Sequence, residues 1–278
     1  MNEFDFKGKN AVITGAGSGI GRELCIQLAK EGCNISAADI NEKGLRETED
    51  AVRAAGKNII CYITDVSDRK QIFEFAEKTI YYNNSIDIVI NNAGVAMSDV
   101  PAENIDFKDF EWMMNINLWG VVNTAKAFIG SLKKSRDSYL VNTSSIYGIF
   151  AMKNAAAYTT SKFAVRGFSE ALVQELHGTS VNVMTVYPGG IKTNIAKNSR
   201  WIGETGDTDG QKRQLARFEN SAKTEPEDAA KQILQAMKRR KKRLLIGKDA
   251  RFMDLYVRIN PSGYDRFVRE HILKEKQR

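Results

Sequence analysis

The sequence predicts an α/β fold: a doubly wound parallel sheet of about seven strands with helices on both faces, continued by a C-terminal helical extension. Three observations carry this. Short apolar runs alternate with stretches of helical periodicity from residue 10 to residue 246. Runs such as Ala11-Val12-Ile13 and Ile59-Ile60-Cys61 are apolar throughout, the mark of strands covered on both faces. A turn punctuated by Gly15, Gly17, Gly19 and Gly21 follows the first run and opens the first helix.

Residues 10–13 read as the first strand, and the helix after Gly19 runs to about Glu31. The second strand, 34–38, is ended by Asp39, and a helix over 42–55 leads to a third strand at 59–63. Ile72, Phe73, Phe75, Ala76 and Ile80 recur at helical spacing before a strand at 86–90. A long helix spans 107–132, a strand 138–141, and a helix carrying Tyr158 and Lys162 runs to about Leu176 before a strand at 180–186. Periodicity fails over 189–223, where a gap of that length in a compact domain marks a lid or insertion. Order restarts with Thr224 as N-cap, Pro226 in the first turn and Glu227 three residues after the cap. A helix over 228–238 leads to the last strand, 243–246. Residues 1–247 thus read as one domain with a lid at about 189–223, and 248–278 as the extension.

The chain has 278 residues, 42% hydrophobic and 27% charged, ordinary values for a globular protein that buries a full core. The first residues lack the basic start and apolar stretch of a secretory signal, and no run approaches the roughly 18 apolar residues of a membrane span. Three cysteines, Cys25, Cys33 and Cys61, read as buried thiols of a reducing compartment, so the expected location is cytoplasmic. Two histidines without paired spacing argue against a metal site. The net charge of +7 is unevenly placed: residues 238–278 carry 14 Lys and Arg against 5 Asp and Glu, the remainder 27 against 29.

Gly15, Gly19 and Gly21 sit between a strand and a helix, where missing β-carbons let the backbone approach a pyrophosphate and the helix N-terminus offers N–H groups. Asp39 lies 18 residues past Gly21, at the end of the second strand, where a carboxylate reaches adenosine ribose hydroxyls. A 2′-phosphate there would meet fixed negative charge, and Ala16, Gly17 and Ser18 offer no cation. NAD is therefore expected over NADP. An N-cap role for Asp39 is compatible with the same position. Tyr158 and Lys162 are four apart, on one helix face. A tyrosine pKa of about 10 is too high for a base at neutral pH, and a neighbouring ammonium is expected to lower it.

With these motifs in this order, the chain resembles the short-chain dehydrogenase/reductase family over residues 8 to about 247. The resembling segments are the loop 14–21, Asp65-Val66, the run Asn91, Asn92, Ala93 and Gly94, Asn117 before Leu118-Trp119-Gly120, then Ser145, Tyr158, Lys162, and the loop Pro188, Gly189, Gly190, Ile191, Lys192, Thr193. The resemblance implies a Rossmann-type fold and a catalytic tetrad of Asn117, Ser145, Tyr158 and Lys162. It implies cofactor contacts from Gly15, Ser18, Gly19, Ile20, Gly21, Asp39, Asp65, Val66, Asn92, Pro188, Gly189, Ile191 and Thr193, with Tyr158 and Lys162 at the nicotinamide end. Tyr158 would move the proton, Ser145 fix the substrate oxygen, Lys162 hold the ribose, and Asn117 order a water relay. Family members are commonly dimers or tetramers, so a homo-oligomer is expected.

Val95, Ala96, Met97, Tyr147, Phe150, Met152, Ile195 and Trp201 suggest an apolar lining, with Met97, Tyr147, Met152 and Trp201 as substrate contacts; ordinary core is the other reading. A hydrophobic alcohol or carbonyl compound is the expected substrate. Lys197, Arg200, Lys212, Arg213 and Arg217 on the lid suit either an anionic group or a solvated surface. In the extension, Phe252, Leu255, Tyr256 and Ile259 make one apolar helix face; Tyr264, Phe267, Val268 and Ile272 make another. Such a basic amphipathic segment suits an anionic membrane surface, its own domain or a partner subunit. The basic run 238–243 lacks interleaved aromatics, so no nucleic-acid partner is expected. The remaining alternatives are an NADPH-dependent carbonyl reductase and a non-catalytic NAD(H)-binding regulatory protein.

Overall fold

Seven parallel strands form one sheet in the computed structural model, which describes residues 3–202 and 208–273. They are β1 (Asn10–Thr14), β2 (Asn34–Asp39), β3 (Ile59–Ile63), β4 (Ile88–Asn91), β5 (Ser138–Thr143), β6 (Val181–Pro188) and β7 (Arg243–Ile246), in the order β3-β2-β1-β4-β5-β6-β7. The chain winds outward from β1 to β3, then returns to pair β4 with β1, so the order reverses between these two strands. Ligands of such sheets bind beyond the strand C-termini at that reversal.

Strand alternation divides the core. Ala11, Ile13, Ile88, Ile90, Tyr139 and Val141 face α1 (Gly19–Lys30), α2 (Glu42–Ala54) and α8 (Pro226–Lys238). Val12, Val89, Leu140 and Val183 face α3 (Arg69–Asn83), α5 (Gly120–Lys134) and α6 (Ala156–Glu175). Each layer of helices buries one set of side chains, which is why the strands read as unbroken apolar runs. Cys25 and Cys33 are buried free thiols; Cys61 is only half-buried, on the edge strand β3.

Four features depart from the sequence expectation. The long helix over 107–132 is α4 (Phe107–Met114) and α5 joined by a π-turn at Asn115–Trp119. The stretch 189–223 contains α7 (Thr208–Ser221), while residues 203–207 of that stretch lie outside the described residues. The N-cap of α8 is Glu225; Thr224 instead pairs with Ile191, its carbonyl accepting from the Lys192 N–H at 2.9 Å. In the extension, α9 (Lys248–Ile259) packs through Ala250, Met253 and Val257, leaving Phe252, Leu255 and Ile259 outward. A short helix, α10 (Tyr264–Phe267), continues as a π-turn over Val268–Ile272.

Candidate active site

At the order reversal, the loops after β1 and β4 are knitted together. The Thr14 hydroxyl accepts from the Asn92 and Ala93 N–H groups at 3.1 and 3.2 Å, and the Asn92 amide donates to the Gly15 carbonyl at 3.2 Å. Gly15, at φ +66°, lies so close to the second loop that a β-carbon would stand 2.7 Å from Ala93 Cα. A β-carbon on Gly21 would stand 2.0 Å from the Gly15 carbonyl oxygen. Asn41 and Asp68 cap α2 and α3 with their side chains, whereas Ser18 makes no side-chain cap on α1. Its first N–H groups and dipole therefore remain for an anion. Ile20 is buried beneath, and Gly19, at φ +52°, faces Thr193, whose Cγ2 would be 3.0 Å from an added β-carbon. The loop after Pro188, the last residue of β6, thus runs through Gly189 and Ile191 to close on the start of α1 at Thr193. This glycine cradle fits the pyrophosphate of a dinucleotide.

Asp39, the last residue of β2, accepts from the Gly17 N–H at 2.8 Å and the Asn41 N–H at 2.9 Å. Next along, Asp65 and Val66 follow β3; the Asp65 carboxylate accepts from Ser67 N and Oγ at 2.8 and 2.7 Å, and Val66 packs on Gly120. Sequence reasoning missed Arg22. Its guanidinium donates to the Gly17 carbonyl at 2.6 Å and pairs with Glu47 at 2.7 Å, so this cation near the glycine loop is already engaged. Its place in the first turn of α1 was the available signal.

Ser145, Tyr158, Lys162 and Asn117 converge beyond β5 and β4. Ser145 follows β5, its hydroxyl accepts from the Tyr147 N–H at 3.2 Å, and its side chain lies near enough the Tyr158 phenol of α6 to oppose the rise in its pKa. One turn later on α6, the Lys162 ammonium lies 5.6 Å from the Tyr158 ring centre and donates to the Thr143 carbonyl at 3.2 Å. A β-carbon on Gly94 would stand 3.3 Å from Lys162 Nζ and 3.2 Å from Asn117 Oδ1, so the buried ammonium and the Asn117 amide oxygen lie against the β4 loop, which the Thr14 and Asn92 contacts tie to the glycine loop. The π-turn presents Asn117: its Oδ1 accepts from the Val95 N–H at 2.8 Å, and its amide donates to the Val95 carbonyl at 3.0 Å and to Ser161 at 3.2 Å. The amide is thereby engaged in bracing the β4 loop on α6, a use that the expected water relay did not anticipate. A π-turn at a functional position is a recurrent device.

The electrostatics correct one expectation. Burial pushes the Tyr158 phenol above its ordinary value, opposed only by the Ser145 hydrogen bond. Burial also pushes Lys162 down, to about 8. In the protein alone, desolvation therefore outweighs the lowering of Tyr158 that the four-residue spacing suggests.

On the far side, Tyr158 joins an apolar group with Met97, Met113, Ala157, Val95, Phe110, Trp112 and Ile202. Tyr147 lies edge-on to Tyr158, ring centres 5.8 Å apart, and packs with Phe150 and Met152 against Met253, Val257 and Phe267 of the extension. Phe150 is core beneath the extension, and Trp201 is half-buried beside Ile202. The segment from Arg200 docks on the β4 loop: Ser98 N donates to the Arg200 carbonyl at 3.0 Å, and Arg200 N to that of Ala96 at 3.1 Å. Arg200 also pairs with Asp109 at 2.6 Å and covers the Trp112 ring, while Arg217 lies 3.9 Å from Asp99 and Lys212 3.7 Å from Asp209. Among the described residues, three of the five cations in the 189–223 stretch thus have acidic neighbours. Asp249, in the first turn of α9, accepts from the Gly190 N–H at 2.8 Å, so the extension holds the loop after β6.

Residues 9–201 match the short chain dehydrogenase family. The chain is 37% identical over 274 residues to the Mycobacterium tuberculosis protein SadH, covering 97% of each, so the similarity includes the extension. It is 33% identical over 187 residues to a Thermotoga maritima 3-oxoacyl-acyl-carrier-protein reductase, covering 67% of this chain and 76% of that protein. The crystal structure of a Burkholderia phymatum short chain dehydrogenase/reductase in complex with NAD superposes with a TM-score of 0.85 at 30% identity, covering 95% of this chain and 96% of that one. The chain belongs to the short chain dehydrogenase family and is an oxidoreductase of that family.

Proposed function

We propose that the protein interconverts a hydrophobic alcohol and its carbonyl form with NAD(H), Tyr158 moving the proton. The observation that carries this is the gathering of Tyr158, the Ser145 side chain and the buried Lys162 ammonium beside Asn117 and the β4 loop, next to the glycine loop. A nicotinamide held there supplies or accepts the hydride. Gly15, Ser18, Gly19, Ile20 and Gly21 receive the pyrophosphate, Asp65, Val66 and Asn92 border the adenosine half, and Pro188, Gly189, Ile191 and Thr193 border the nicotinamide half. Ser145 holds the substrate oxygen beside Tyr158. During reduction Tyr158 gives its proton to that oxygen as the carbon gains hydride; during oxidation it takes the alcohol proton as the carbon loses hydride. Burial favours the neutral phenol, the proton-donating form, and the reverse step draws on the positive charge of the oxidised nicotinamide to favour the phenolate. Asn117 positions Val95 and α6 around them.

NAD is favoured over NADP because Asp39 holds a carboxylate at the ribose end and Arg22 is neutralised by Glu47. The apolar surroundings of Tyr158, with Met97 on one side and Tyr147 and Met152 on the other, favour a hydrophobic substrate, with Trp201 at the lid. Exposed Phe107 and Trp119 on the long helix and Phe163 on α6 favour a homodimer or homotetramer, and three free thiols favour the cytoplasm. Fluorescence titration with NADH and NADPH tests the assignment. NADH is expected to bind at least about tenfold more tightly; tighter NADPH would overturn the Asp39 argument, and binding of neither would overturn the proposed function.

A further inference from the structure

The outward face of α9 is not used by the site, and its composition is unusual for exposed surface. Phe252, Leu255 and Ile259 are 51%, 59% and 75% exposed and lie at helical spacing on one stripe. Lys248, Arg251 and Arg258, also exposed, flank that stripe. The one buried acid of the helix, Asp254, is held by Arg243 at 2.7 Å and Arg258 at 3.1 Å, so this trio keeps a net positive charge. The Arg243 contact ties α9 to the first residue of β7, directly after the exposed Arg239, Lys241 and Lys242. An apolar stripe is thus bordered by cations along its length and joined to a basic turn, within the part of the chain that carries the net positive charge.

We propose that this face docks on an anionic lipid bilayer, with α9 lying in the plane of the interface. Phe252, Leu255 and Ile259 enter the headgroup boundary, while Lys248, Arg251, Arg258 and the 239–242 turn meet the anionic headgroups. Charge complementarity selects this occupant. A second copy on a twofold axis would set the same basic face against itself, whereas an anionic bilayer matches both the apolar stripe and its cationic border. The opposite face of α9 packs through Met253 and Val257 on the group that includes Tyr147 and Met152. The docked helix therefore separates the bilayer from the apolar side of the crevice, a short route for a membrane-dissolved substrate. The docking itself does not depend on the reaction assignment.

The test is co-sedimentation of the full chain with phosphatidylcholine vesicles, with and without one-quarter phosphatidylglycerol. Each cation near an anionic surface contributes about a fivefold factor in partitioning, so partitioning onto the anionic vesicles should be at least about tenfold stronger. It should fall at least about tenfold in F252S/L255S/I259S and in R239Q/K241Q/K242Q, and weaken with salt. NADH binding by both variants controls for folding. Equal partitioning onto neutral vesicles, or none on either, would overturn the proposal. So would partitioning that survives both variants, or an apolar variant that changes only the mass in solution, which would assign the face to a second copy.

Discussion

The glycine-loop side of the site and the side formed by the 189–223 stretch and the extension are held by different physics. On the first, backbone approaches its neighbours so closely that missing β-carbons are the structure: Gly15 against Ala93, Gly21 against the Gly15 carbonyl. Buried Thr14 and neighbouring Asn92 tie the two loops by hydrogen bonds. On the other side, Arg200, Arg217 and Asp249 hold loops through side-chain polar contacts at partly exposed positions, over apolar packing. Close backbone packing tolerates no added atom, whereas partly exposed ion pairs are worth at most about 1 kcal/mol each. Changes on the first side should therefore act almost all-or-none, and changes on the second by degrees.

The sharpest break of that contrast is Gly21→Ala. Its β-carbon meets backbone, which cannot rotate away, so a loss of about 3 kcal/mol or more in stability and at least about a hundredfold in NADH affinity is expected. Calorimetry and titration read both, and near-normal affinity would show that the cradle is looser than drawn. Lys162→Met sharpens the comparison from inside the site. Burial lowers Lys162 from its ordinary value to about 8, so between that value and its unfolded value the folded chain binds fewer protons than the unfolded one. Stability therefore rises with pH across that window, and at pH 7 the buried ammonium opposes folding. Replacement should abolish turnover yet stabilise the fold by about 1–3 kcal/mol, removing the alkaline rise in denaturation midpoint; a destabilised variant would contradict the sign. The smallest effect belongs to the second side. Asp249→Ala removes one acceptor from the Gly190 N–H, and NADH affinity should fall by only about threefold to tenfold, with an almost unchanged melting temperature. A loss as large as that of Gly21→Ala would erase the contrast.

The same division decides what could be read from the sequence. Buried parallel strands announce themselves as apolar runs, and a glycine turn is confined to few uses, so the sheet and the loop 14–21 were legible. The π-turn at Asn115–Trp119 was not, because one extra residue in a helix leaves its periodicity nearly intact. Polar α7 carries no apolar stripe strong enough to signal a helix. In α9 two apolar stripes compete, and the sequence cannot say that Ala250, Met253 and Val257 face inward while the bulkier Phe252, Leu255 and Ile259 face out. The Asp249–Gly190 and Arg22–Glu47 contacts join residues distant in the chain, which no local pattern reports.

The most direct test of the account is Tyr158→Phe, measured side by side for turnover of a hydrophobic secondary alcohol and for NADH binding. The phenol oxygen is the only atom removed, and the glycine cradle does not touch it. Turnover lower by at least about a thousandfold is expected, with NADH affinity within about twofold of the parent. Turnover that persists in the variant would contradict it.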